Sequence, residues 1–330
     1  MARLVAAFAS SHSVMLTSTL EDWQMRFLER DRQIRFFDQQ GNPCTYEELE
    51  ARAPANADAL VTPDAIAKRY ADVQAAMLRL KKSIADARLD ALIICGDDQH
   101  ELLDEQLMPS IGIYYGKTIA NGARPDNVTD WYVQAQNRRL EEKFVRDYPC
   151  DQPLALHLIE GLLERGFDPA TMSGLADGQC EGHAFSFMHR VYLDERPVPI
   201  VPVFLNTFYP PNQPSPARCL AFGEAMRDIL AEYPADARIG FMASGGLSHF
   251  HADAYLDHEV IDALRRHDKA ALAALDAKRL QSGSSEIRSW IVLGGIAPDL
   301  ELDWVSYTPG YRTRALTGTG LAFASWVRNS

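Results

Sequence analysis

Four polar residues of this chain stand where short apolar runs stop. His12 follows Leu4–Ala9 across Ser10-Ser11, and His100 follows Ala91–Cys95 across Gly96-Asp-Asp-Gln. Asn206 closes Val198–Leu205, and His249 follows Arg238–Met242 across a stretch containing Ser244-Gly-Gly-Leu-Ser. Runs this short read as buried strands rather than helices. In an open α/β sheet the ligand crevice lies outside the carboxyl ends of the strands. Imidazoles gathered there can ligate a metal or move protons, because the unperturbed histidine pKa of about 6.5 lies near neutrality. Glu286, ending Ser282-Gly-Ser-Ser at the start of a helical pattern, adds a carboxylate. Taken alone, an acid in a first helical turn answers only to the helix dipole. Two imidazoles and one carboxylate on one face of Fe(II) would leave adjacent positions open. A single carboxylate also leaves the divalent ion net positive toward an anionic ligand.

A competing pattern overlaps the first. His249-Phe-His251-Ala-Asp253 spells HxHxD, which resembles the start of a binuclear zinc hydrolase signature. The next residue is Ala254 rather than a further histidine, and the motif lies three-quarters along the chain. A non-catalytic binding protein on the same fold is the third reading.

The elements that would carry these residues follow from periodicity and caps. Ser18-Thr-Leu-Glu21 has the form of a capping box, with Leu20, Trp23, Phe27 and Leu28 following at helical spacing. Thr45-Tyr-Glu-Glu48 starts a second short helix. Thr62-Pro63 opens a long one, in which Ile66, Val73, Met77, Leu80 and Ile84 keep the period. Ile111–Tyr115 reads as a strand. A helix capped by Asp151 runs to Arg165 and stops at Gly166. The prolines of Tyr209–Pro216 exclude regular structure there. Helices are expected over 217–232 and around 259–280, and a last one opens at Glu286. This is an α/β pattern: one large domain over 1–330, with a central, mostly buried sheet flanked by helices and the site at the strands' carboxyl ends. A helical insertion occupies about 17–89.

Composition narrows the partners. The 330 residues carry 45 acidic against 33 basic side chains, a formal charge of −12. Without basic runs such a chain is a poor ligand for nucleic acid or an anionic membrane. The five scattered cysteines form no CxxC pair, so neither a zinc ribbon nor a disulfide framework is expected. The apolar N-terminal run is too short for a signal peptide, and a reduced, cytoplasmic location is the expectation. His157, His258 and His267 read as structural residues.

Taken in order, five pieces resemble the class III extradiol ring-cleavage dioxygenases, of the protocatechuate 4,5-dioxygenase β-subunit, gallate and 3-O-methylgallate type. They are Ser10-Ser-His-Ser-Val-Met-Leu16, Ile93-Ile-Cys-Gly-Asp-Asp-Gln-His100, Asn206 with Tyr209-Pro-Pro, Ser244-Gly-Gly-Leu-Ser-His249 and Glu286-Ile-Arg-Ser-Trp290. The resemblance implies Fe(II) held by His12, His100 and Glu286, and His249 as acid/base. It also puts His183, after Gly182, beside the substrate, with Asn206 and Tyr209 in the substrate site. The implied reaction is extradiol cleavage of a catecholic, lignin-type aromatic acid by dioxygen. Arg190, Arg218, Arg288 and Arg312 are the candidate partners of its carboxylate. A homodimer is expected, with no separate small subunit, its covering role falling to the 17–89 insertion. The chain departs from the family in the long stretch between His12 and His100, and around His100 the match needs a small gap.

Overall fold

In the computed structural model, which describes residues 3–123, 130–194 and 196–328, each expected apolar run is a strand. Nine segments form one sheet: β1 Arg3–Ser10, β2 Ala91–Gly96, β3 Ile111–Tyr114, β4 Ala170–Met172, β5 Ile200–Leu205, β6 Arg238–Ser244, β7 His249–His251, β8 Glu301–Pro309 and β9 Thr317–Val327. Their order is β7-β9-β1-β6-β2-β5-β3-β4, with β8 also paired to β9. The neighbours β1, β6, β2 and β5 are mutually parallel. Antiparallel β9 flanks β1 on one side, and antiparallel β3 flanks β5 on the other.

The central strands are apolar at consecutive positions because both faces are covered. Ala7, Ile93, Val203 and Phe241 turn to one core, shared with helices Gln152–Glu164, Pro216–Glu232, Ala254–Arg265 and Ile287–Ile296. Phe8, Ile94, Phe204 and Met242 turn to the other, which helix Pro63–Asp86 closes with Ile66, Val73, Met77, Leu80 and Ile84. The protein is thus a single α/β domain with a large mixed sheet between helical layers.

Most caps fall where the sequence puts them. Thr62 accepts from Ala65 N ahead of Pro63, Thr45 and Glu48 make a full capping box, and Asp151 accepts from Leu154 N. The first box is shifted by one residue. Thr19 and Asp22 exchange the reciprocal bonds, and the turn that follows, Asp22–Arg26, is wound as a π-helix. The segment before β2 is tied to the sheet by one buried pair. Arg312, just before β9, makes two 2.7 Å bonds to the Asp31 carboxylate, which also accepts from Thr317 Oγ1 at 2.6 Å.

Two features went unanticipated. Helix Trp131–Leu140 packs against the turn Val14–Thr17 and lays Trp131 and Tyr132 edge-on to Phe27. The long β8–β9 pair carries little strand signal, because β9 reads Thr-Gly-Thr-Gly-Leu-Ala-Phe-Ala-Ser-Trp-Val. Small residues and glycine weaken a strand in isolation, and this one is held by strands on both sides.

Candidate active site

Register delivers the site. Ser10 at the end of β1 pairs with Ser244 at the end of β6, and Cys95 pairs with Ala243 beside it. His12, Asp97 and Gly245 therefore leave the carboxyl edge of the sheet as neighbours. Glu286 stands where the 3-10 turn Ser282–Glu286 passes into helix Ile287–Ile296. Trp290 Nε1 anchors that helix by donating to Gly245 O at 2.9 Å, and Gly246 N donates to Glu286 Oε2 at 2.6 Å. A Cβ on Gly245 would come within 3.1 Å of Glu286 Cβ, so glycine lets loop and helix approach this closely without displacing Glu286. His249 arrives from β7, where it pairs with Thr319 of β9, and Ser284 fixes its backbone by bonds to both N and O.

Three imidazoles converge, each with Nδ1 engaged from behind. His12 Nδ1 lies 2.9 Å from Ser244 Oγ, whose own hydrogen goes to Ala184 O at 2.8 Å. The hydroxyl therefore accepts from His12 Nδ1–H, which leaves the lone pair of a neutral ring on Nε2. That Nε2 faces Glu286 Oε2 at 3.2 Å and Asp97 Oδ1 at 3.5 Å. His183 Nδ1 donates to Glu101 Oε2 at 2.7 Å while its Nε2 stands 3.6 Å from Asp97 Oδ1. His249 Nδ1 donates to Leu247 O at 2.8 Å, and its Nε2 meets Glu286 Oε1 at 3.2 Å. All five groups are buried. An Nδ1 held by a carboxylate or carbonyl with Nε2 directed inward is the arrangement found in metal-binding histidines.

Electrostatics follow from this chain of contacts. Burial works against a charge on Glu286, yet His249 and His12 beside it hold its carboxyl well below the usual range. Burial and the nearby Glu286 push the Asp97 carboxyl up. Burial alone would lower His183; Glu101 and Asp97 outweigh it and lift the ring to about 10. His249 is likewise raised against its burial, chiefly by Glu286. His12 Nε2 and Asp97 Oδ1 are buried with no hydrogen-bond partner. His12 Nε2 facing two carboxylate oxygens is favourable only with a proton or a metal cation between them. Among the described residues, the ligand atoms of His12, Asp97 and His183 lie within 4.8 Å of one another, the spread a metal ion needs.

The structure thus brings together His12, His183, His249 and Glu286 of the anticipated residues, and leaves His100 out. His100 is exposed, adopts φ +62°, and stacks face to face on Tyr209 with ring centroids 3.9 Å apart. At His100, four residues past the end of β2, the chain has turned outward. Asp97 and Gln99 reach the site instead, Gln99 Nε2 standing 3.1 Å from Asp97 Oδ2 and 3.4 Å from Glu286 Oε1. Asn206 spends its amide on its own loop, bonding Tyr209 N, Tyr209 O and Asn212 Oδ1. Of the HxHxD residues, Asp253 caps helix Ala254–Arg265 and faces Arg279 at 3.4 Å, while burial lowers His251. Asp97, Gln99 and Glu101 were missed as site residues. The signal available was three polar residues so soon after a buried strand.

A buried cluster of imidazoles and carboxylates thus lies at the parallel edge of a mixed α/β sheet, a donor set of the kind that can hold a divalent metal. The chain belongs to the family described as the catalytic LigB subunit of aromatic ring-opening dioxygenase, whose model matches residues 80–322. His12 and most of the helical segment before β2 lie outside the matched stretch. The chain is 27% identical over 179 residues to a 2,3-dihydroxyphenylpropionate/2,3-dihydroxicinnamic acid 1,2-dioxygenase of Comamonas testosteroni, covering 52% of this chain and 49% of that one. It is 34% identical over 98 residues to a gallate dioxygenase of Pseudomonas putida, covering 29% and 28%. The chain thus matches about half the length of the first relative and less of the second. Among the described residues no helix is long and apolar enough to cross a membrane.

Proposed function

We propose that this protein opens the ring of a catecholic aromatic acid on the extradiol side with dioxygen, at an Fe(II) centre held by His12, Asp97 and Glu286. The observation that carries it is the His12 lone pair directed at two carboxylate oxygens, with His12 Nε2 and Asp97 Oδ1 both buried and unbonded. Fe(II) would supply the redox chemistry that dioxygen requires. Two carboxylates neutralise a divalent ion, so the pull on an anionic substrate falls to the flanking imidazoles.

His183 and His249 suit that role. Both are raised by nearby carboxylates, His183 facing Asp97 and His249 facing Glu286. His249, its ring fixed by Leu247 O and its backbone by Ser284, is positioned to take the catechol proton and return it later near the reacting oxygen. His183, held by Glu101, would steady a substrate oxygen. The aromatic cover of Phe27, Trp131 and Tyr132 would exclude water from the reacting centre without a separate subunit. A homodimer and a cytoplasmic location complete the proposal.

The test is oxygen uptake by the chain alone, reconstituted anaerobically with Fe(II). The substrates are protocatechuate, gallate, 3-O-methylgallate and 3-(2,3-dihydroxyphenyl)propionate. Consumption of dioxygen with at least one, together with a ring-opened product, is expected. Two zinc ions per chain and no oxygen uptake would replace this reading with a hydrolase.

A further inference from the structure

We propose that Arg30 receives the carboxylate of the aromatic substrate, which makes the helical segment before β2 the specificity element of the site; this rests on the ring-opening reading above. The four arginines that the sequence offers for that role are all engaged. Arg190 pairs with Glu142 at 2.9 Å, and Arg312 with Asp31. Arg218 donates to Gly166 O at 3.0 Å and lies over the Phe167 ring. Arg288 is buried and spends its guanidinium on the carbonyls of Pro214, Thr207, Leu280 and Ser285.

Arg30 differs from all four. Its guanidinium carbon lies 3.8 Å from the Tyr132 ring centroid and 5.6 Å from that of Phe250. Its NH1 is buried with no hydrogen-bond partner, and among the described residues no carboxylate pairs with it. The rings attract the half-buried guanidinium, while its buried NH1 donor stays unsatisfied until an acceptor such as an anion joins it. Stacking on a ring leaves the in-plane N–H groups free to meet a carboxylate with two parallel bonds.

The position also suits the reaction. Phe250 follows His249 in the chain, and their ring centroids are 5.3 Å apart. The cation and the acid/base histidine therefore both approach the same aromatic ring. Burial raises the Tyr132 hydroxyl, with Arg30 and Arg312 acting to lower it and Asp31 and Glu286 to raise it. Arg30 and the metal-ligating carboxylate thus act on the same phenol. A catechol bound at the His12 centre would direct a ring substituent toward this corner, where a negative group finds its partner.

The experiment compares Arg30→Met and Arg30→Lys with the parent enzyme, each loaded with Fe(II). One substrate is whichever carboxylated catechol the parent turns over, and the other is uncharged 4-methylcatechol. In Arg30→Met the KM for the acid should rise roughly 10–100-fold, the range of a lost charge-assisted bond, while kcat and KM for 4-methylcatechol stay within about twofold. Arg30→Lys, which keeps charge but not the planar fork, should recover part of the loss. Calorimetric affinity for 3-hydroxybenzoate, whose ring is not opened, should fall by the same factor in Arg30→Met. Equal changes for charged and neutral catechols, or none, would overturn the assignment while leaving ring opening intact. A parent enzyme that consumes no oxygen with any catechol would remove the ring-opening reading, and this inference with it.

Discussion

His12 Nε2 faces Glu286 Oε2 at 3.2 Å while the His12 proton is held on the far nitrogen by Ser244 Oγ. The pair thus brings two ligand atoms face to face in a buried site, with Asp97 Oδ1 adding a third at 3.5 Å. A shared proton or a bound cation makes this arrangement favourable, and a cation there sets the first expectation. His12→Ala, Asp97→Ala and Glu286→Ala should each weaken Fe(II) binding roughly tenfold or more. His100→Ala should hold iron as the parent does, because its ring stacks on Tyr209 at the surface. Iron content after anaerobic reconstitution decides between them. Iron loss in His100→Ala with retention in Asp97→Ala would reinstate His100 as the ligand.

His249 separates proton transfer from ligation. Its ring is braced by Leu247 O and meets only an oxygen of Glu286 that does not face His12. His249→Phe should bind iron and catechol almost normally yet lose about 10²–10⁴ in kcat, the usual scale for a general acid–base group. Iron content and kcat measured on one preparation test this. Loss of metal would make His249 a ligand.

Gly283 is a further lever on the same ring. An added Cβ there would overlap the His249 imidazole at Cδ2 and Nε2. Gly283→Ala should displace the ring and cost about 10² in kcat, as misplacement of a catalytic group by an ångström does. Metal content should be unchanged. A variant with the parent's kcat would show that His249 does not act from this position.

The His183–Glu101 pair predicts a pH dependence of stability in the metal-free chain. His183 is raised to about 10 in the fold, against about 6.5 when unfolded. A raised folded value means that the bound proton stabilises the fold fully below pH about 6.5, and that this contribution is lost as pH climbs toward 10. Metal-free parent protein should therefore melt above Glu101→Gln at pH 6 and lose that advantage by pH 10. Thermal melts across this window check the sign, and a gap that widens with pH would contradict it.

The Asp31–Arg312 pair should matter more to stability than any surface ion pair. Both side chains are buried, and Asp31→Ala would leave the Arg312 guanidinium uncompensated beneath the Phe27 ring. A loss of about 3–5 kcal/mol is expected in urea unfolding. An effect below about 1 kcal/mol, the level of an exposed pair, would mean that water reaches this site.

The sequence by itself determined the buried strands, the helix starts, and the placement of His12 and His249 just beyond the carboxyl edge. Those features are local: an apolar run of strand length, a capping residue and a proline at the first helical position each act over a few neighbours. Glu286 was legible as the start of the last helix, and Gly245-Gly246 as a place of close approach. The tertiary structure alone decided which residues of the Gly96–Glu101 segment turn inward. Asp97, directly at the end of β2, is held among buried neighbours, whereas His100, after a left-handed turn, faces solvent. No one-dimensional pattern records that rotation, because it depends on how the loop packs against Gly182 and His183 from another part of the chain. The same holds for Arg30. Its charge was visible in the sequence, but its lack of a carboxylate partner and its seat between Tyr132 and Phe250 exist only once three distant segments are brought to one corner.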